Sequence, residues 1–435
     1  MARIAPFAAL RYNTDKAGKL DNLVTQPYDK IGKDLQEKYY ARNSFNACRI
    51  IRSAEAFANP ETPYPEAAQT FREWKEKGIL KRDDQPAYYI YYQTFKRGDE
   101  TITRKGFIAS VELEEDKVRA HERTLAGPKA DRLRLLHALE TNDELIFMLY
   151  SDPKQETVKL MDEVAESQQP LMECKDDFGE IHRVWALRDL DAIDKLEALL
   201  QPCDLFIADG HHRYETAVNF KNDCLKAGWK SGGMQGFDHR MMGLFPMEDP
   251  GLVIFPTHRL VKNVEKFSGP RLIASLMGHF EVTPMSSAEA VFAKMDAVRN
   301  DQVFGLKAVG TGDPFYVLQL KDINIMADLE ELAGLTEASR NLGVTILHTL
   351  ILNKELGIDA KTLEAGTHVE YARSRDKAFN RVGEGGIQAC FLLNPTSVMD
   401  VRKSAAAGER MPQKSTDFYP KLLAGLTMME LDIKK

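Results

Sequence analysis

The chain has 435 residues, of which 43% are hydrophobic and 28% charged, and its 58 Lys and Arg against 65 Asp and Glu leave a formal net charge of -7. That length exceeds what one growing core supports, so two or three core-bearing units are expected, and the acidic balance gives no overall field that would draw nucleic acid. No stretch approaches the ~20 apolar residues that span a bilayer, and the scattered Cys48, Cys174, Cys203, Cys224 and Cys390 include no pair at zinc-knuckle or redox spacing.

The first residues carry no sustained apolar run of a secretory signal, so cytoplasmic residence is the expectation, with reduced thiols. A short strand is predicted at 4–10. Pro27 biases Gln26 toward extended backbone, so Gln26-Pro27-Tyr28-Asp29 reads as a loop before a polar helix at 34–41. Pro60, Pro63 and Pro65 break periodicity at 59–65, and a helix at 65–78 follows, with Phe71 and Trp74 as a core pair. Aromatic residues at 88–95, a turn at 96–100 and extended character at 101–113 predict a hairpin. Its tyrosines read as a half-buried strand rather than a base-stacking platform.

Residues 121–129 lack periodicity and read as an ordered loop before a helix at 130–139. A strand at 146–150 and amphipathic helices at 155–166 and 190–200 come next. Leu205-Phe206-Ile207-Ala208 is an apolar strand that stops at Asp209-Gly210 and yields to a helix through Phe220. The glycine-rich stretch 230–237 is the expected boundary, dividing the chain into 1–230 and 231–435. Beyond it, strands are predicted at 240–245, 252–255, 315–320 and 387–393. Helices are predicted at 269–277, 287–298 and 398–406, and 329–352 reads as largely helical. There is no internal repeat or heptad run. Strands and helices alternating without strict βαβ order imply an α/β (α+β) fold.

The chemistry concentrates at Asp209-Gly210-His211-His212-Arg213. A strand running through Asp-Gly into a helix presents first-turn amides where the partial positive charge favours phosphate. Gly210 permits the sharp turn and a close ligand, while His211, His212 and Arg213 add donors. Asp209 can hold a metal ion or accept a proton. The plain alternative is that Asp209 only caps the helix and Arg213 is surface charge. Paired histidines at such a junction, among ten in the chain, favour function. Zinc on His211 and His212 is disfavoured, because sequence neighbours point apart.

Glu122 and Lys129 lie in a stretch dense in reactive groups that runs into a helix. Lys414, Ser415 and Thr416 offer a cation and hydroxyls for a phosphate, although the Gly-rich approach of a P-loop is missing. His258 and Arg259 follow an apolar strand and are candidates for the same cleft, with a structural arginine as the alternative. Arg49 sits among apolar residues and needs a buried partner or an anionic ligand. Asp29 ends the early loop and is a candidate to orient a substrate amine or hydroxyl.

The segment Phe206-Ile207-Ala208-Asp209-Gly210-His211-His212-Arg213-Tyr214-Glu215-Thr216-Ala217 resembles the signature of a large bacterial family of unknown function. Gln26-Pro27-Tyr28-Asp29, His121-Glu122-Arg123-Thr124, Pro256-Thr257-His258-Arg259 and His368-Val369-Glu370-Tyr371-Ala372 resemble it too. So does the stretch from Met411 to Lys421. Gln26 stands where a second proline is common, and Asp417 where a hydrophobic or aromatic residue is more usual; the first departure bears on the shape of the early loop. The Asp-Gly-His-His-Arg element is also similar to the phosphate loop of the ParB and sulfiredoxin superfamily, which includes free serine kinases. The resemblance implies a ParB/sulfiredoxin-like mixed-sheet domain with a second α/β domain contributing to the cleft. It also implies transfer of phosphate from a nucleotide, ATP first, to the hydroxyl of free L-serine, with Mg²⁺. Asp209, His211, His212, Arg213 and Glu122 are then the catalytic candidates, and Asp209 the metal ligand. Gly210, His211, His212, Arg213, Lys129, Lys414, Ser415 and Thr416 are the phosphate-binding candidates, and Asp29, Arg49, His258 and Arg259 the substrate-binding ones. A metal-assisted phosphoester hydrolase and a nucleotide-dependent ParB-like binding module are the alternatives. The expected partners are a small molecule and a nucleotide, with no nucleic acid and no membrane, and a homodimer left open.

Overall fold

The computed structural model describes residues 3–114, 117–120, 126–298, 302–312, 315–412 and 414–435. The fold is mixed α/β, in two compact units. The first comprises Met1–Arg119, Thr124–Val253 and Pro420–Lys435, and the second Ala120–Arg123 and Ile254–Tyr419. No helix among the described residues is long and apolar enough to cross a membrane.

The first unit is built on a nine-stranded sheet. Its strands are β1 (Ile4–Ala5), β2 (Tyr88–Arg97), β3 (Glu100–Glu112), β4 (Val118–Arg119), β5 (Ile146–Tyr150), β6 (Met172–Lys175), β7 (Ile181–Leu187), β8 (Leu205–Asp209) and β9 (His239–Pro246). They lie in the order β4-β8-β5-β9-β3-β2-β7-β6, with β1 also on β3. The pairs β4–β8 and β5–β9 are parallel and the rest antiparallel. β5 is buried at all five positions and β9 at all eight, as expected of central strands covered on both faces. Around the sheet lie α1 (Pro65–Glu76), α2 (Ala126–Leu139), α3 (Glu156–Ser167), α4 (Leu190–Leu200) and α5 (His211–Lys226). Proline opens α1, where its missing N–H costs nothing, and Phe71 and Trp74 are buried as the spacing predicts.

The second unit has a six-stranded, wholly antiparallel sheet. Its strands are β10 (His258–Lys262), β11 (Phe280–Met285), β12 (Val303–Ala308), β13 (Phe315–Leu320), β14 (Val369–Ala372) and β15 (Ile387–Leu393), in the order β11-β13-β12-β15-β10-β14. Its core joins Leu260, Val291, Met295, Val303, Val317, Phe379 and Leu392.

Two expectations are corrected. The division at 230/231 falls inside the first unit, because β9 inserts between β5 and β3 at the centre of the sheet. Glycines at 232, 233 and 236 mark a tight connection: a Cβ on Gly232 would lie 2.3 Å from Asp432 O, a close approach that sequence alone reads as a linker. The first unit also recovers Pro420–Lys435 from the far end of the chain. Second, the predicted strand at 4–10 is interrupted after Ala5, next to Pro6, and resumes at Leu10–Tyr12. The stretch 329–352 is largely helical, as expected, in short helical turns followed by a π-helical stretch, Leu347–Asn353.

Candidate active site

β8 ends in Asp209 and α5 starts at His211. Gly210 between them has φ 95°, which favours glycine, and a Cβ there would press on Arg213 Nε at 3.1 Å. The N-cap residue of α5, Gly210, has no side chain to cap the helix, whose first turn closes with a bond from Tyr214 N to Gly210 O. The mouth of this 16-residue helix therefore carries the partial positive charge that suits an anion.

Arg213 is buried and folds back across the turn. One guanidinium nitrogen donates to Leu145 O, and Nη2 donates to Asp209 Oδ2 at 3.1 Å. The other carboxylate oxygen of Asp209 accepts from Lys421 Nζ at 3.4 Å. Burial alone would raise the Asp209 pKa, but Lys421 and Arg213, joined by Lys30 and His211, hold it well below the usual carboxylate range. Asp209 is therefore an anion gripped between two cations. Asp29 is exposed, 4.0 Å from Lys30 Nζ, and close enough to Arg213 to act on its charge.

Behind Arg213 lies a second layer of buried ions. Glu144 is 2% exposed; its Oε1 accepts from Tyr28 N at 2.9 Å and lies 4.0 Å from Arg213 Nη1, and its Oε2 lies 3.9 Å from Arg132 Nη1. Arg240 Nη2 donates to Glu144 O at 3.0 Å. Burial pushes the Glu144 carboxyl up to about 7, against the pull of Arg213 and Arg132 and with help from Asp143. Arg132, Asp143, Glu144, Arg213 and Arg240 line a void of about 10 Å³, room for one water at most. These groups are too enclosed to meet a substrate; they fix Arg213 from behind.

Lys421 is held in place by its backbone. Arg104 Nη2 donates to Pro420 O at 2.5 Å, Gln93 Nε2 donates to Lys421 O at 2.9 Å, and Leu423 N donates to Tyr91 Oη at 3.5 Å. Gln93 and Arg104 are cross-strand partners on β2 and β3, and both are fully buried. The sheet thus clamps the returning C-terminal segment and aims Lys421 at Asp209.

The first unit brings together Asp29, Asp209, Gly210, His211, Arg213 and, unforeseen, Lys421, Lys30 and Glu144. His212 occupies the same first turn, half-buried. Other candidates are engaged elsewhere. Lys129 Nζ pairs with Glu215 at 2.8 Å, and Arg49 donates to Tyr40 O at 3.0 Å with its guanidinium over the Tyr40 ring. The second unit holds His258, Arg259, Lys414, Ser415 and Thr416. There His258 is fully buried, and burial pushes its pKa down to about 3. Arg259 is 1% exposed and donates to His348 Nε2 at 3.3 Å and to Lys414 O at 3.2 Å; the Ser415 hydroxyl donates to Pro412 O. Glu122 lies outside the described residues. The expectation that Asp209 ligates a metal meets an obstacle, since each of its oxygens already faces a cation, and a divalent ion would sit beside Lys421 and Arg213. These residues do not fit a protein-held Mg²⁺ at this position.

Comparison with solved structures finds remote likenesses. A conserved hypothetical protein from Pyrococcus furiosus shares 14% identity at a TM-score of 0.34, covering 72% of this chain and 92% of its own. A free serine kinase in complex with AMP shares 12% at 0.36, covering 72% and 86%. SbnI with a C-terminal truncation, from Staphylococcus aureus, shares 11% at 0.32, covering 74% and 87%. Comparison with curated proteins gives no match. Residues 4–344, most of the chain and all of the Asp209–Arg213 turn, match one family, and the chain belongs to it: the family described as "Protein of unknown function (DUF1015)".

Proposed function

We propose that the chain is a small-molecule kinase that transfers the terminal phosphate of ATP to the hydroxyl of free L-serine. One observation carries the reading: a helix mouth opened by Gly210 and flanked by Arg213 and Lys421, both held on the single carboxylate of Asp209. Phosphoryl transfer asks mainly for positioning and charge neutralisation of phosphate oxygens, which amides, guanidinium and ammonium supply. The similarity of the Asp-Gly-His-His-Arg element to the phosphate loop of free serine kinases supports the choice of reaction and acceptor.

In this scheme the nucleotide phosphates lie at the α5 mouth against Gly210, His211, His212, Arg213 and Lys421. The serine oxygen bonds to the γ-phosphorus, the bond to the β-phosphate oxygen breaks, and ADP leaves. The hydroxyl proton passes to a carboxylate, for which Asp209 and Asp29 are the candidates in the described structure and Glu122 the candidate from sequence. Asp209 is ionised but weakly basic, which suits a loose transition state in which the proton leaves late. Mg²⁺ enters only as the ion that accompanies ATP in solution.

The test is to incubate the pure protein with radiolabelled ATP and Mg²⁺, with and without each of a panel of amino acids. Serine-dependent formation of O-phosphoserine is expected. Phosphate release that ignores serine would favour a hydrolase, and ATP binding without turnover, coupled to salt-sensitive DNA retention, would favour a ParB-like module.

A further inference from the structure

Away from the α5 mouth, the hairpin of β6 and β7 gathers a second group of ligand-bearing side chains. Its connection, residues 176–180, is shaped by Asp176, whose Oδ1 accepts from Phe178 N at 2.9 Å and Glu180 N at 3.0 Å. His182, opposite Cys174 on β6, is 0% exposed. Its Nδ1 lies 2.7 Å from Tyr91 Oη, which fixes the ring. Its Nε2 is buried and makes no hydrogen bond, the nearest acid oxygen, Asp176 Oδ2, standing 3.7 Å away. That gap is too long for a hydrogen bond. Yet one ligand atom from each of Asp176, Glu180 and His182 lies within 4.8 Å of the other two.

A fully buried imidazole nitrogen with no hydrogen bond, facing two buried carboxyl groups, needs something between them. A proton on Nε2 does not close a 3.7 Å gap; an ion that accepts electron pairs from all three groups does. We propose that Asp176, Glu180 and His182 form a binding site for a divalent transition-metal ion of the Zn²⁺ or Mn²⁺ type. His182 would ligate through Nε2, and Asp176 and Glu180 through one carboxylate oxygen each. One imidazole with two carboxylates suits those ions better than all-oxygen Mg²⁺ or Ca²⁺ or a thiophilic ion.

The surroundings match what ligands of a metal require. In the tautomer whose Nδ1–H donates to Tyr91 Oη, Nε2 keeps its lone pair to ligate, and Gln26 Nε2 donates to Asp176 Oδ2 at 3.1 Å, orienting the carboxylate. Gln26 immediately precedes Pro27 and Tyr28, and Tyr28 N donates to Glu144. An ion in the hairpin therefore braces the loop that supports the buried layer behind Arg213. This inference does not depend on the kinase reading.

The experiment uses the full chain, stripped with a chelator and dialysed against Zn²⁺ or Mn²⁺, with bound metal measured by elemental analysis and thermal melting run in parallel. About one ion per chain and a higher Tm with metal are expected. Glu180→Gln and His182→Gln should each weaken binding at least roughly tenfold and abolish the Tm shift. Glu180 sits at the edge of the turn, so its variant serves if His182→Gln fails to fold. No bound metal, or binding and Tm shift unchanged in the Glu180 variant, overturns the proposal.

Discussion

Arg213 and Arg104 are two buried guanidinium groups in the same unit, and they are set in opposite surroundings. Arg213 is surrounded by acids: Glu144 and Asp209 outweigh the cost of burial and raise its pKa above the ordinary arginine value. Arg104 is dominated by burial, which lowers it to about 10; its donors go to Gln93 Oε1 and Pro420 O, and it lies over the rings of Phe147 and Phe245. The first arrangement poises a positive charge at a helix mouth. The second uses a cation as a bolt that fastens one segment of chain to the sheet. Burial of a charge does not by itself mark an active site; what the charge is paired with, and whether a ligand can reach it, does.

The largest effect expected from this contrast is at Arg213. Arg213→Ala removes the guanidinium proposed to hold phosphate and strands Asp209 and Glu144, so serine phosphorylation should fall about 10³-fold and stability by about 3–5 kcal/mol. Arg213→Lys should recover little, since one ammonium cannot serve both Leu145 O and Asp209. Turnover above a tenth of the parent's in Arg213→Ala, by phosphoserine assay, would remove the helix mouth from the mechanism. Lys421→Ala comes next, with kcat down about 10²-fold. Its fold should hold better, because Asp209 keeps Arg213. Equal losses of stability in the two variants, by urea unfolding, would show that Lys421 is a structural ion and not a poised one.

The contrast also explains what could be read from sequence. The turn that carries Arg213 was legible because Asp209, Gly210 and Arg213 lie within five positions, and an apolar strand followed by glycine and a helix has a short-range signature. The sheet hairpin at β2 and β3 and the helices α1 and α4 were legible for the same reason, from short-range periodicity. Lys421 was not, since it meets Asp209 across 212 residues, delivered by Arg104 and Gln93 through backbone carbonyls that no side-chain pattern encodes. Glu144 escaped because its setting depends on Arg132, Arg213 and Tyr28, brought together by the strand order. The partners of Lys129 and Arg49 were hidden in the same way: Glu215 engages the first and Tyr40 the second, contacts that only the fold supplies. The division at 230/231 failed because glycine at a close backbone approach and glycine in a linker look alike in sequence.

If Arg104 is a bolt, its removal should act only through Lys421. Arg104→Met leaves Gln93 and Pro420 O short of a partner, which should cost about 1–3 kcal/mol. By loosening Lys421 it should lower kcat roughly tenfold, and in a Lys421→Ala background it should lower it no further. A fresh loss of kcat in the double variant would mean that Arg104 reaches the site by another route.

The change with the smallest expected effect on turnover is the one that most directly distinguishes the two arginines, because acid backing should show as pH dependence of stability. In the folded chain the Glu144 carboxyl titrates at about 7, against the ordinary 4.5 that it regains on unfolding. Between those values the folded state holds a proton that the unfolded state has released, so stability is greatest below pH 4.5 and declines as pH rises toward 7. The contribution of this one group is at most about 1.4 kcal/mol per pH unit. Glu144→Gln keeps an acceptor for Tyr28 N and cannot titrate, so its unfolding free energy, measured by urea between pH 4.5 and 7.5, should gain steadily on the parent's. Parallel curves for parent and variant would mean that Arg213 and Arg132 hold Glu144 ionised throughout. Arg213 would then be locked into a standing buried ion pair, with less positive charge to offer an incoming phosphate.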